Sequence, residues 1–189
     1  MSLSRSSRSR GTTTAALAAL ALAGCSASGG GSDAPSPSSP EEFWGGFAMV
    51  RVSEVDPAAS VAELSERAEL IVRGAVAAVE NPRREGSRVT VEVGETLAGD
   101  APERVVVDLI GMPGEGTADA PPEEEVLWFL TPAQEGGRWN LVSQYGLIGE
   151  DGRGAPDTLL NPADPMFEWG ERPASLGEVQ ADVEAALGD

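Results

Sequence analysis

"SRVTVEVGETLAG", residues 87 to 99, alternates apolar and polar side chains with a period of two. Val89, Val91 and Val93 fall on one side, and Arg88, Thr90 and Glu92 on the other. That is the pattern of a strand with one buried face. Upstream, "ELIVRGAVAAVE" (69 to 80) predicts a second, more deeply buried strand with Gly74 as a bulge or bend, and "NPRREG" between them predicts a loop. Downstream, "ERVVVDLIG" (103 to 111) predicts a third strand, followed by a long polar loop, "GMPGEGTADAPPEEE". "EVLWFLTP" and "RWNLVSQYG" predict two more, joined at Gln134-Glu135-Gly136-Gly137 by a hairpin turn. "LIGEDGRGAPDTLL" adds a turn and a last strand.

The period changes to that of a helix near both ends of this strand-rich stretch. "SVAELSERA" (60 to 68) has Ser60 to cap it, Glu63 to complete a capping box, and Val61, Leu64 and Ala68 on one face. "SLGEVQADVEAALG" (175 to 188) repeats the arrangement with Ser175 and Glu178. Its apolar stripe is Leu176, Val179, Val183 and Leu187, with Gly188 as the stop. Phe43, Trp44, Phe47 and Met49 are too apolar for a free tail and are expected to dock on the domain. Short strands with helices only near the ends predict a mainly β fold: a small antiparallel barrel or curled sheet, OB-like, with a short N-terminal helix and a C-terminal helix.

The first forty residues are of another kind. A basic start, "MSLSRSSRSR", precedes the apolar run Ala15 to Ala23, which is far shorter than the ~20 residues that span a bilayer. This is the layout of a secretory signal peptide. The run ends in "LAGC", Leu22-Ala23-Gly24-Cys25, which resembles the lipobox of bacterial lipoproteins. The resemblance implies that the Cys25 thiol carries a diacylglyceryl group and that a signal peptidase cuts between Gly24 and Cys25. Two acyl chains at ~0.8 kcal/mol per buried CH₂ give stable anchoring where one would be marginal. An ordinary signal peptide cut at a nearby Ala-x-Ala site, or an uncleaved anchor, are the competing readings. "SASGGGSDAPSPSSP" then offers no apolar face and reads as a tether reaching about 20 Å as a coil and about 50 Å extended. The expected organisation is a signal peptide over 1–24, a lipidated cysteine and linker over 25–40, a β-barrel-like domain over 41–160, and a C-terminal extension with its helix over 161–189.

A second resemblance lies in the strands. "AELIVRGAVAAVE", "VTVEVGETLAGD", "VVVDLIG", "EVLWFLTP" and "WNLVSQYGLIGEDG" are similar to a poorly characterised β-domain of exported actinobacterial proteins. The similarity covers about residues 62 to 155 and rests on apolar positions plus Gly99, Gly146 and Gly152. It implies an OB-type barrel, the architecture also of netrin-like and metalloproteinase-inhibitor domains. Those inhibitors act through a disulfide-bonded N-terminal cysteine, and this chain has one cysteine in all, so that activity does not carry over.

Composition narrows the function. The basic residues are all arginine, and histidine is absent. Arg5, Arg8 and Arg10 lie upstream of Cys25 and no acid does, so losing that stretch takes three positive charges from a formal −18 and leaves −21. Such a chain is repelled by nucleic acid and by anionic headgroups, so no nucleic-acid partner is expected. Without histidine there is no Ser-His-Asp or Cys-His arrangement and no ordinary zinc site. "GMPGEG" lacks the lysine of a phosphate loop. Glu150, Asp151 and Asp157 in "EDGRGAPD" could gather around calcium, but they do not follow the EF-hand order and a plain turn is the better reading. No cofactor or metal is therefore expected. Trp44 and Trp169 either fasten terminal segments to the barrel or, if exposed, mark a contact surface.

The expected function is non-catalytic binding at the extracytoplasmic face of the cell membrane, held by lipid, with an envelope protein or glycan as partner and the oligomeric state left open. A carboxylate-based envelope hydrolase and a purely structural envelope protein are the alternatives.

Overall fold

In the structure, a computed structural model, residues 36–50, 53–83, 85–134 and 136–188 are described. Gly24, Cys25 and the rest of the signal and lipobox segment lie outside the described residues. Among the described residues seven strands form: β1 (Leu70–Arg83), β2 (Gly86–Ala98), β3 (Arg104–Leu109), β4 (Val126–Pro132), β5 (Trp139–Leu141), β6 (Leu147–Glu150) and β7 (Pro156–Thr158). The helices are α1 (Pro40–Ala48), α2 (Val61–Arg67) and α3 (Leu176–Leu187). The fold is mainly β, as the alternation predicts.

The sheet runs β1-β2-β3-β5-β4-β6-β7, and β1 also pairs with β4. β1, β2, β3, β5 and β4 therefore close into a five-stranded barrel, with the β6–β7 hairpin continuing beyond β4. Every pairing is antiparallel except β3 with β5, which is parallel and joins Val107 to Trp139 and Asp108 to Asn140. The predicted hairpin forms, with the Ala133 N–H donating to Arg138 O at 2.9 Å. The predicted loop over 81 to 86 is shorter than expected: β1 runs on to Arg83, which pairs with Gly86.

Strand periodicity sorts the apolar side chains into two cores. Val72, Val89, Val91, Val105, Val107, Trp128 and Leu130 fill the barrel. Ile71, Leu127, Phe129, Tyr145 and Ile148 lie under α2 and α3, against Val61, Leu64, Val179 and Val183. β1 and β4 thus have apolar neighbours on both faces, which is why "VLWFL" shows no alternation. Both outer helices start at their predicted caps: Ser60 Oγ accepts from Glu63 N at 3.2 Å, and Ser175 Oγ from Glu178 N at 3.3 Å. The reciprocal half of each box is displaced by one residue. Glu63 accepts from the N–H of Ala59 at 2.8 Å and Glu178 from that of Ala174 at 2.7 Å, each one residue before the cap.

The N-terminal aromatic segment docks, and it docks as a helix. Ser39 caps α1, and Pro40 occupies its first turn, where its missing N–H costs nothing. Phe43, Trp44 and Phe47 enter the barrel core, Trp44 meeting the Trp128 ring at 5.9 Å. Met49 does not follow them: it is 85 % exposed, because the helix has ended at Ala48. α1 lies against the loop after β3, where Gly114 N donates to Phe43 O at 3.0 Å. Glycine is required at this crossing, since a Cβ at Gly46 would strike the Met112–Gly114 backbone and one at Gly114 the Glu42 carbonyl.

The irregularity at Gly74 has a similar cause. The β1–β2 register shifts between Arg73 and Gly74, with Gly94 of β2 as the extra residue. A Cβ on Gly74 would meet the Glu92 carbonyl oxygen. The Gly74 carbonyl accepts from the buried Trp128 indole N–H at 3.1 Å, satisfying a donor that has no water to turn to.

Candidate binding cleft at the barrel rim

The parallel β3–β5 seam is two residue pairs long. Beyond Asp108 and Asn140 the strands part: Leu109 pairs back to Ser87 of β2, and Leu141 to Leu130 of β4. A cavity of about 180 Å³ opens where they separate. Its apolar lining includes Phe47 of α1 and Val50 just after it, Leu109 of β3 and Ile110 just after it, and Leu141 and Leu160. Its polar lining is Glu54, Asp108, Asn140, Ser143, Gln144 and Asn161. A second hollow of about 320 Å³, reaching to the β1–β2 turn, shares Asp108, Leu109, Ile110 and Asn140 with the first. The two make a continuous rim feature about the end of β3.

Both carboxylates in the cleft are engaged. Glu54 accepts from Ser143 Oγ at 2.8 Å and from Gln144 N at 2.7 Å, so it fastens the segment after α1 to the turn after β5. Asp108 lies 2.9 Å from the Arg138 guanidinium and 3.8 Å from that of Arg88. Asn161 closes the far side, donating to Gln144 O at 3.3 Å. Ser143, 2 % exposed, has its hydroxyl committed to Glu54 and lacks an imidazole to activate it. The cleft thus joins an apolar floor to fixed amide and carboxyl groups.

Tyr145 supports the turn from below. It is fully buried, and its hydroxyl donates to Asp164 at 3.0 Å. Burial, then the Asp164 carboxylate as hydrogen-bond partner and as charge, push its pKa above the ordinary 10.0.

The acids of "EDGRGAPD" serve the backbone. Asp151 accepts from Arg153 N at 2.8 Å and Ala155 N at 3.0 Å, closing the β6–β7 turn, and these two bonds hold its pKa below 3.8. Asp157, 7 % exposed, accepts from the N–H groups of Thr158 and Ala163 and holds Ala163 at a φ of 56°, which a non-glycine residue seldom adopts. Among the described residues no three acidic, cysteine or histidine side chains gather as a metal site would require. Trp44 is buried, and Trp169 packs on Phe167 at 4.7 Å with Arg172 over its ring, so both rings fasten terminal segments. Glu54, Asn140, Gln144 and Asn161 carry no sequence signal that separates them from other loop residues; Asp108 is visible only as an outward position of β3.

No family model matches the chain, and no curated protein matches it in sequence.

Proposed function

We propose that this chain is a membrane-anchored exported lipoprotein whose barrel is a non-catalytic binding module at the cell envelope. The anchoring half of the reading rests on the basic start, the short apolar run and the Leu22-Ala23-Gly24-Cys25 lipobox, with Cys25 carrying the lipid. Among the described residues no helix is long and apolar enough to cross a membrane. The binding half is carried by the rim cleft, where Glu54 and Asp108 are tied to Ser143, Gln144, Arg88 and Arg138. A general acid or base must be free to exchange a proton with substrate. Carboxylates tied in this way instead shape a fixed surface, suited to a protein or glycan of the envelope.

Two measurements test the two halves. Membrane fractionation of Cys25→Ala should move the protein to the soluble fraction with an altered N-terminus; retention on the membrane with an unchanged N-terminus defeats the anchoring claim. A photo-crosslinking side chain at Ile110, which lines the cleft and is 53 % exposed, should capture a discrete partner in cells, while the same group at Glu184 on α3 should not. Equal labelling from both positions, or turnover of an envelope glycan by the purified chain, would remove the binding reading.

A further inference from the structure

Part of one edge of β1 lies outside the barrel's own pairing. β1 pairs with β4 from Leu70 to Gly74 only, while its pairing with β2 continues to Arg83. From Ala75 to Arg83 the opposite edge of β1 has no backbone hydrogen-bond partner among the described residues. β4 begins at Val126, opposite Gly74, and does not run on along it. Upstream of β4 lie Pro121 and Pro122, which have no N–H to donate.

Exposed edges are ordinarily guarded by charged side chains, prolines or bulges. Here "GAVAAV", Gly74 to Val79, contains neither charge nor proline, and its one irregularity is the unpaired Ala77 between Val76 and Ala78. Ala77 and Ala78 on this stretch are exposed and small. A strand laid along this edge would lie in line with β4, just upstream of it. If it ran antiparallel to β1, as β4 does, its C-terminal end would meet the exposed Glu123 and Glu124, Glu125 being ion-paired with Arg73 at 2.9 Å. Antiparallel pairing is also the slightly more stable arrangement. A second copy of this chain brings its own large negative charge to the contact and is repelled, whereas a basic segment is drawn in.

We propose that the edge of β1 from Ala75 to Glu80 is a strand-addition site. It takes an extended segment of a partner protein, running antiparallel to β1 and carrying basic side chains towards its C-terminal end. Main-chain hydrogen bonds supply the attachment, and Glu123 and Glu124 set direction.

The test uses the full chain and the synthetic peptide acetyl-Val-Thr-Val-Thr-Val-Arg-Arg-amide, read by amide hydrogen exchange. Addition of the peptide should slow exchange within residues 75 to 80 by about tenfold or more and leave the rim cleft unchanged. The peptide with both arginines moved to its N-terminus should bind about tenfold more weakly, as should the original peptide to Ala77→Lys, an exposed position whose change leaves the core intact. Glu123→Gln with Glu124→Gln should remove the preference between the two peptides. Absence of protection, protection confined to the cleft, or equal binding of both peptides to the unsubstituted chain would overturn the proposal. So would concentration-dependent protection of 75 to 80 without peptide, because it would make the occupant a second copy.

Discussion

Replacing Trp44 with alanine should cost about 4 kcal/mol of folding stability. Trp44 is 3 % exposed and packs against Phe43, Phe47 and Trp128 at ring separations of 4.7, 5.8 and 5.9 Å. Truncating a buried aromatic to alanine typically costs about 3–5 kcal/mol, because the transfer energy is lost and the cavity does not fully collapse. Three edge-on or tilted ring contacts keep this site above the lower end of that range. A domain of this size loses about 2–4 °C of melting temperature per kcal/mol, so the midpoint should fall by about 10 °C. The assay is urea unfolding followed by far-ultraviolet circular dichroism, with Met49→Ala as the control. Met49 is 85 % exposed, and its loss should change stability by less than about 0.5 kcal/mol. The unsubstituted chain should unfold in one transition with the helical and strand signals coincident. A loss below about 1 kcal/mol for Trp44→Ala, or a separate early step in the unsubstituted chain, would refute the placement of α1 in the barrel core.

Four further outcomes follow from the same geometry. The chain has one tyrosine and no lysine, so in Cys25→Ala the alkaline branch of stability reports Tyr145. Its folded pKa is raised, so this contribution is complete below pH 10.0 and is lost as pH rises through the folded pKa, at no more than about 1.4 kcal/mol per pH unit; Tyr145→Phe should flatten that branch, and an unchanged slope refutes the assignment. Gly74→Ala should cost about 1–3 kcal/mol through the clash with the Glu92 carbonyl. Gly45→Ala in α1, where a Cβ meets nothing within 4 Å, should instead stabilise by about 0.5–1 kcal/mol in the same denaturation assay. Glu54→Ala should raise the exchange rate of the Gln144 amide by about tenfold while leaving the β2 amides unchanged.

The legible parts of the fold are those set by neighbours in sequence. Alternation in β2, the glycine pair before Arg138, and Ser60 and Ser175 with their glutamates three residues on each encode a local geometry that the structure keeps. α1 was hidden because its sequence argues against a helix. Gly45 and Gly46 weaken the propensity, and only packing in the barrel and the crossing at Gly114 make those glycines favourable. Met49 looks as apolar as Phe47, yet the helix end turns it to solvent, a fact of three-dimensional position alone. The cleft is harder still. Its lining comes from four separated stretches, around Phe47–Glu54, Asp108–Ile110, Asn140–Gln144 and Leu160–Asn161. What brings them together is a parallel seam between β3 and β5, strands that are not consecutive, and no local pattern announces it.

Barrel closure pairs Leu70 with Leu130, and the core it completes holds Phe43 from before β1 and Leu159 from after β7. These contacts bear on the order of folding. The β1–β2 and β4–β5 hairpins can form from neighbouring residues, but closure must bring distant segments together before any of its reward arrives, which makes it the slow event. α1 leaves the ribosome before every strand and has no surface to bury its aromatics against until the strands have followed. Its three rings must therefore wait, uncovered, for almost the whole chain to be made. The first of the described helices is among the last to find its place, and that interval is when the protein most needs to be shielded from aggregation.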